Sequence, residues 1–455
     1  MNDKCLKSKE KIFNGFAVIF KTLCAAVSMV FLLILDKPNK INYGLFWVLF
    51  LNIYLLIVTF SDAGAFIVSV FLFVFNYSIL SANYIFNIDS MFLTDSYTKY
   101  ALTGFKILLV FMTVIVLFID DKSFFNGSMI LRTRATAIFD KKESGSSLIA
   151  FGYLLALVLV FVFAYTRPAE KGERGDPSAL YEYSIVIFII GYYFFGKIKA
   201  YKFCSTILLL LFAFQNMVYG GRITALQLAV VLFLFLFDGK FVPWRIIIPF
   251  GVIGIVIFVM IGSQRGGFSL SLSGMADAIG SIFKEGASLD TAYSAYYTSL
   301  SFIKTEELLG FGERFLMFLK FCLSMIVGGS KVPGSNLSEY TRQYFVHYYG
   351  GVLPFYGHFY LGFAGVIAFG VIVALYMNLI LKNKKRKNGV GACVSAYVIA
   401  TVPRWYLYSP SSLIRGVALL AAVYFLTYFA DSILKRIKQN VKKQNGKKCH
   451  VDHSL

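Results

Sequence analysis

Acidic residues are scarce in this 455-residue chain: 24 Asp and Glu stand against 44 Lys and Arg, and charged residues make up only 15 %. Soluble globular chains carry about 25 % charged residues, so an ordinary water-facing surface is excluded. Histidine (4), proline (9) and cysteine (6) are also sparse. Cys5, Cys24, Cys204, Cys322, Cys393 and Cys449 form no Cys-x-x-Cys pair and have no His close enough to complete a zinc cluster, so no disulfide framework and no metal site is expected. No Asp-x-Asp pair is present to hold a divalent metal on a diphosphate, and there is no Gly-x-Ser-x-Gly elbow. Gly328-Gly-Ser-Lys-Val-Pro-Gly334 lacks the residue order of a phosphate-binding P-loop. Acids well inside apolar runs are nearly missing, since Glu182 and Asp431 lie at run ends. Ion-coupled transporters need such carboxylates.

What the chain has in abundance is apolar surface, at 58 % of residues with a mean hydropathy of +0.69. Crossing about 30 Å of hydrocarbon takes about 20 mostly apolar helical residues. Twelve runs of that kind occur, near 14–35, 41–60, 63–86, 100–119, 148–165, 181–196, 203–219, 223–238, 244–262, 354–381, 391–408 and 414–434. The expected fold is an all-α, polytopic membrane bundle of about twelve transmembrane helices. The first run follows a Lys-rich start, reaches Leu35 with Lys21 inside it, and has no small-residue cleavage site after it. It reads as an uncleaved first span.

Lys and Arg orient the bundle. With the N-terminus in the cytoplasm, 26 of the 44 basic residues and 10 of the 24 acids fall on the cytoplasmic side, and both termini are cytoplasmic. The other face is nearly neutral, as the positive-inside rule requires. The +20 net charge is thus a topology signal and a match for anionic headgroups rather than a nucleic-acid footprint. The organisation expected is spans one to nine over 1–262, one large outer loop over 263–353, spans ten to twelve over 354–434, and a basic cytoplasmic tail over 435–455.

A loop of that length is more than a connector. Leu289, Ala292, Tyr293, Tyr296, Leu300 and Ile303 recur at helical spacing, with Ser288 as the expected N-cap. Phe315 to Val327 is a 13-residue apolar run carrying Lys320, too short to cross, and reads as an interfacial or re-entrant helix. Together they suggest a helical lid on the outer boundary of the membrane.

The residues that could do chemistry collect on the same side. Arg222 sits in the tight turn Tyr219-Gly-Gly-Arg-Ile-Thr, Arg265 in Ser263-Gln-Arg-Gly-Gly, and Arg404 and Arg415 bracket the segment between the last two spans. Guanidinium forks match phosphate oxygens bidentately and stay charged, so a converging set would bind a diphosphate. Each Arg could equally snorkel to the interface or pair with an acid such as Glu182. His347 and His358 flank the approach to span ten; either can accept a proton from a sugar hydroxyl or hold it, or serve as an ordinary interfacial imidazole. Glu339 is the alternative base, with a solvated pair to Arg342 as its plainer role. Tyrosines crowd the segment, Tyr344 and Tyr348 among them, suited to sugar stacking or to an interfacial belt.

The many-span layout, the late outer loop, the Gly-Gly-Arg222 and Gln-Arg265-Gly turns, and the Tyr-Gly-Gly-Val-Leu-Pro approach to span ten resemble the O-antigen polymerases, bacterial inner-membrane enzymes that join lipid-linked oligosaccharide repeats. The related ligases carry a His motif followed at fixed spacing by Gly, which neither His347 nor His358 reproduces. The resemblance implies a fold like the membrane-embedded GT-C-type glycosyltransferases, and an inverting, metal-independent transfer without cofactor. The growing glycan would move from undecaprenyl pyrophosphate to the nonreducing end of a new lipid-linked unit. Arg222, Arg265, Arg404 and Arg415 would hold the diphosphate, His347 or Glu339 would serve the acceptor, and Tyr344, Tyr348 and His358 would contact sugar. Membrane lipids and a chain-length regulator protein are the implied partners, with no nucleic acid. The competing class is a flippase or transporter of the same unit, which should show two similar halves, central charges and short outer loops.

Overall fold

The computed structural model of the protein describes residues 3–35, 41–86, 95–121, 132–134, 145–167, 176–219, 221–238, 240–243, 288–327, 331–345, 350–382 and 389–451, with 245, 249, 254 and 280 singly. These are almost entirely helical. Among the described residues, seven helices are long and apolar enough to cross a membrane: Gly15–Ile34, Ile41–Thr59, Ala63–Ile85, Lys99–Phe118, Lys199–Val218, Leu353–Leu381 and Ser411–Ile437. Four further runs expected to span form the shorter apolar helices Ser147–Phe163, Ser184–Phe195, Arg222–Phe237 and Gly389–Ala400. The run 244–262 lies outside the described residues apart from 245, 249 and 254. Large apolar side chains are exposed along these helices, for example Phe46 (76 %) and Leu426 (70 %), as lipid-facing surfaces require.

The chain divides into two units. The first comprises Met1–Thr136, Gly239–Lys385 and Thr401–Arg415. Its membrane-length helices include α1 (Asp3–Ile34), α2 (Ile41–Thr59), α3 (Ala63–Leu80) and α4 (Asp95–Phe118). Asp62 caps α3, accepting from the amides of Gly64 and Ala65. The chain then passes through a π-helical turn, Ser81–Ile85. Lys21, the charge within the first run, is neutralised: its ammonium lies 3.2 Å from Asp121 and donates to the Ile119 carbonyl, while Tyr54 donates to Asp121 at 3.1 Å. A short antiparallel pairing joins β1 (Arg132–Arg134) to Phe241–Pro243.

The segment expected as an outer loop contains three helices among its described residues, α10 (Asp290–Glu306), α11 (Phe311–Val327) and α12 (Leu337–Arg342). The N-cap of α10 is Leu289 rather than Ser288, whose hydroxyl shares a 2.6 Å bond with Ser81 instead. Packed on α3 and α4, α10 buries Ala292, Tyr296, Leu300 and Ile303 of the expected stripe but leaves Tyr293 half-buried, and every residue from Ala295 to Ile303 is buried, so the helix is covered on all sides rather than along one face. Tyr84 and Tyr296 share a 2.9 Å bond there. α11 starts four residues before the apolar run expected, buries Met317 and Phe321, and exposes Phe315, Leu316, Leu319, Leu323 and Ile326 on its other face. That two-sided pattern is what an interfacial helix needs.

Span ten differs from the expected continuous run. The helix α13 (Leu353–Lys382) is broken at Gly362, which has φ 62° and ψ −151°. A Cβ on Gly365 would lie 2.1 Å from the Gly357 carbonyl oxygen, although eight helical residues span about 12 Å. The chain therefore turns a corner, and glycines at 357, 362 and 365 are what permit it. The arm after Gly362 alone is about 30 Å long and packs against α4. Span eleven is also split, into Gly389–Ala400 and α15 (Val402–Leu407), because Pro403 cannot donate to a continuing helix and disfavours helical backbone before it.

The second unit comprises Ala137–Asp238, Arg386–Ala400 and Gly416–Leu455. It holds α5 (Ser147–Phe163), the short α6 (Ala179–Glu182), α7 (Ser184–Phe195), α8 (Lys199–Val218), α9 (Arg222–Phe237), α14 (Gly389–Ala400), and from Gly416 onward α16 (Ser411–Val451). Tyr165–Arg167 pairs with Asp176–Pro177. Tyr192 stacks on Phe235 at 3.9 Å and donates to its carbonyl, fixing α7 on α9.

Candidate functional site

Within the first unit, a polar cavity of 310 Å³ is lined by α11 (Phe321, Ser324), the start of α12 (Ser335, Asn336, Leu337, Glu339), Tyr356 of the first arm of α13, and Ser409, Ser411 and Arg415 where α16 begins. Each wall has a local cause. The Ser335 amide closes a turn by donating to the Val332 carbonyl. Ser338 accepts from the Gly350 amide at 3.1 Å and so ties α12 to the segment before α13. Gly350, at φ 113°, brings that segment against α15: a Cβ there would be 2.8 Å from the Leu407 oxygen, and the next amide, Gly351, donates to that oxygen at 3.0 Å. Tyr356 donates to the Tyr408 carbonyl at 2.6 Å.

Arg415 reaches α11 from the first turn of α16. Its Nε and Nη2 both donate to the Ser324 carbonyl, at 3.3 and 3.0 Å. A helix ends with carbonyls that lack intrahelical donors, and a guanidinium there is favoured by the helix dipole. Glu339 is exposed, and Asn336 Nδ2 donates to its Oε2 at 3.4 Å. The cavity thus offers one cation, one carboxylate, a carboxamide and several hydroxyls. Such a set suits a polyhydroxylated ligand bearing an anionic group.

Close by in sequence and fold, Glu306 at the end of α10 bridges Arg314 of α11 and His358 of α13. Arg314 Nη1 pairs with Glu306 Oε1 and donates to the Phe359 carbonyl at 3.1 Å; His358 Nδ1 lies 3.0 Å from Glu306 Oε2. The break at Gly362 ends the first arm and leaves its last carbonyls in need of donors, and Arg314 supplies one. The same guanidinium holds three elements at the corner. Glu306 and Arg314 carry no sequence signal, since they come from two helices joined by a turn; the glycine density from 357 to 365 was the visible sign of the corner.

The expected site residues separate accordingly. Arg415 and Glu339 line one cavity. His358 is buried against Glu306 and does not line it. Tyr344 is 52 % exposed after α12, its hydroxyl 3.4 Å from that of Tyr340. The Tyr344 hydroxyl, with burial and nearby Glu313 adding to it, pushes the Tyr340 phenol up to about 12. Arg404 is half-buried on α15 and is not part of the cavity wall. Arg222 is buried at the first position of α9 in the second unit, beside a cluster in which Tyr165 donates to Asn216 and Asn216 to Tyr181. Arg265, His347 and Tyr348 lie outside the described residues. Neither a protein-family model, a curated protein nor a solved structure matches the chain.

Proposed function

We propose that this protein is a membrane-embedded glycosyltransferase of the O-antigen polymerase type, joining lipid-linked oligosaccharide repeat units. The observation that supports the reading is the cavity in which Arg415 and Glu339 stand among serines, Asn336 and Tyr356. In this reading the bundle has twelve spans in a GT-C-like arrangement in a bacterial inner membrane, termini in the cytoplasm, and the cavity faces the periplasm under α11. An acceptor hydroxyl attacks the anomeric carbon of the growing glycan, and the bond to the undecaprenyl diphosphate breaks with its electron pair leaving on the diphosphate. Glu339 takes the acceptor proton, with His347 as the other base. Arg415 stabilises the charge that accumulates on the leaving diphosphate. Preorganised donors of this kind are worth on the order of 10²–10³ in rate each. The transfer inverts the anomeric centre and uses no metal.

The test is the product left in a strain lacking the gene. A single lipid-A-linked repeat is the expected result. Loss of all surface repeats points to a flippase or ligase, and free polymer on undecaprenol to a ligase; either outcome overturns the reading.

A further inference from the structure

The helix α11 is fastened by arginines at two points, one near each end. Near its start, Arg314 pairs with Glu306 and donates to the Phe359 carbonyl at 3.1 Å. Near its end, the Ser324 carbonyl accepts from Nε and Nη2 of Arg415, and the same Nη2 lies 3.5 Å from the Ser324 hydroxyl. Little else covers the helix: of its 17 residues Met317, Phe321 and Ser324 are buried. Phe321 meets the rings of Tyr356 and Tyr360 at 6.4 and 5.3 Å, while Leu323 (51 %) and Ile326 (84 %) are exposed. A segment with so few buried contacts opens at small cost in free energy.

The two fastenings differ in kind. Arg314 has a carboxylate as counter-charge, and Glu306 in turn faces His358 at 3.0 Å. Arg415 is held by a neutral carbonyl, and among the described residues no carboxylate pairs with it, although it lines the polar cavity with Glu339. Hydrogen bonds between ionised partners are roughly twice as strong as neutral ones. Nε and Nη2 form one edge of the fork, the edge that binds an anion bidentately, so a phosphate oxygen pair seated there displaces the Ser324 carbonyl.

We propose that Arg415 is a latch on α11 released by the diphosphate of a membrane lipid. With the fork on Ser324, the C-terminal half of α11 is held down. With the fork on the anion, that half lifts about its anchor at Arg314 and opens the cavity to the lipid along Leu319, Leu323 and Ile326. The latch rests on the diphosphate reading of the cavity and not on the sugar chemistry. Hydrogen–deuterium exchange of the purified full chain in detergent, read by mass spectrometry, follows each half of α11 separately, with farnesyl diphosphate and inorganic pyrophosphate as probes. Farnesyl diphosphate should speed exchange over Phe321–Val327 about tenfold or more, the weight of a hydrogen bond to a charged group, and leave Phe311–Leu316 unchanged. Inorganic pyrophosphate should do the same only at higher concentration, since it has no chain to lie along the opened face. Arg415→Ala should exchange fast over Phe321–Val327 without any probe. No acceleration by either probe in the wild type, equal acceleration of both halves, or wild-type protection of Phe321–Val327 in Arg415→Ala each overturns the latch. Pyrophosphate as potent as farnesyl diphosphate overturns the lipid as its ligand. Polymer growth that survives Arg415→Ala overturns the transfer reading and leaves the exchange result standing.

Discussion

Arg415 grips the carbonyl of Ser324 with two guanidinium nitrogens, at 3.3 and 3.0 Å, and so joins the first turn of α16 to the last turns of α11. This contact and the cavity share the same side chain. An anion arriving in the cavity competes with a backbone carbonyl for the fork. Replacing Arg415 by Lys keeps the charge but loses the paired donors. Polymer ladders from cells with Arg415→Lys should therefore be shortened, and those with Arg415→Ala close to absent, at unchanged protein level.

Asn76 is the hub of a buried polar network in the first unit. Tyr406 donates to its Oδ1 at 2.7 Å, its Nδ2 donates to Asn52 at 3.0 Å, and Asn52 donates to the Val48 carbonyl at 2.8 Å. Hydrogen bonds between membrane helices are worth about 0.6–2 kcal/mol. Tyr406→Phe should cost about that much. Asn76→Leu should cost more, because it strands two buried partners. Thermal unfolding in detergent, compared at matched conditions, measures both.

The corner at Gly362 makes opposite predictions for glycines of similar appearance. Gly365→Ala places a methyl 2.1 Å from a backbone oxygen and should unfold the first arm of α13 or abolish expression. Gly391→Ala, in α14 with nothing within 4 Å of the new carbon, should raise stability by about 0.5–1 kcal/mol through helix propensity. Melting temperatures of the two variants against the wild type decide it.

Glu307 gives the pH dependence its sign. The Tyr100 hydroxyl, bonded at 2.6 Å, and then Lys99 hold its carboxyl below the usual carboxylate range. A lowered value means that the stabilisation is complete above the ordinary carboxylate pKa, about 4.3, and is lost as the pH falls through the lowered value. Glu307→Gln should be slightly less stable than the wild type at pH 7, by under about 1 kcal/mol for so exposed a pair. The difference should vanish in acid. A difference that grows with acidity contradicts the assignment.

Hydropathy made the helical membrane character legible, because runs such as 41–60 and 100–119 are long, apolar and cleanly bounded. Periodicity marked α10 as a helix but not the extent of its burial, since every residue from Ala295 to Ile303 is buried and Tyr293 of the expected stripe is not. Corners were hidden for the opposite reason: a run like 354–381 stays apolar across Gly362, so hydropathy cannot register a change of direction. Arg415 was readable as a polar residue at a span end and Glu339 as a carboxylate within the long loop, yet their shared cavity depends on α11 and α12 meeting α16, which no spacing encodes. The pairing of His358 with Glu306 and Arg314 is long-range in the same sense.

The central claim is that the cavity of Arg415 and Glu339 performs glycosyl transfer, and reconstitution tests it most directly. Purified protein in liposomes is given undecaprenyl-pyrophosphate-linked repeat units, and chain growth is followed on a gel. The wild type should extend the repeats, with Arg415→Ala slower by about 10²–10³ and Glu339→Ala strongly impaired. Extension at wild-type rate by both variants, each correctly folded, would contradict it.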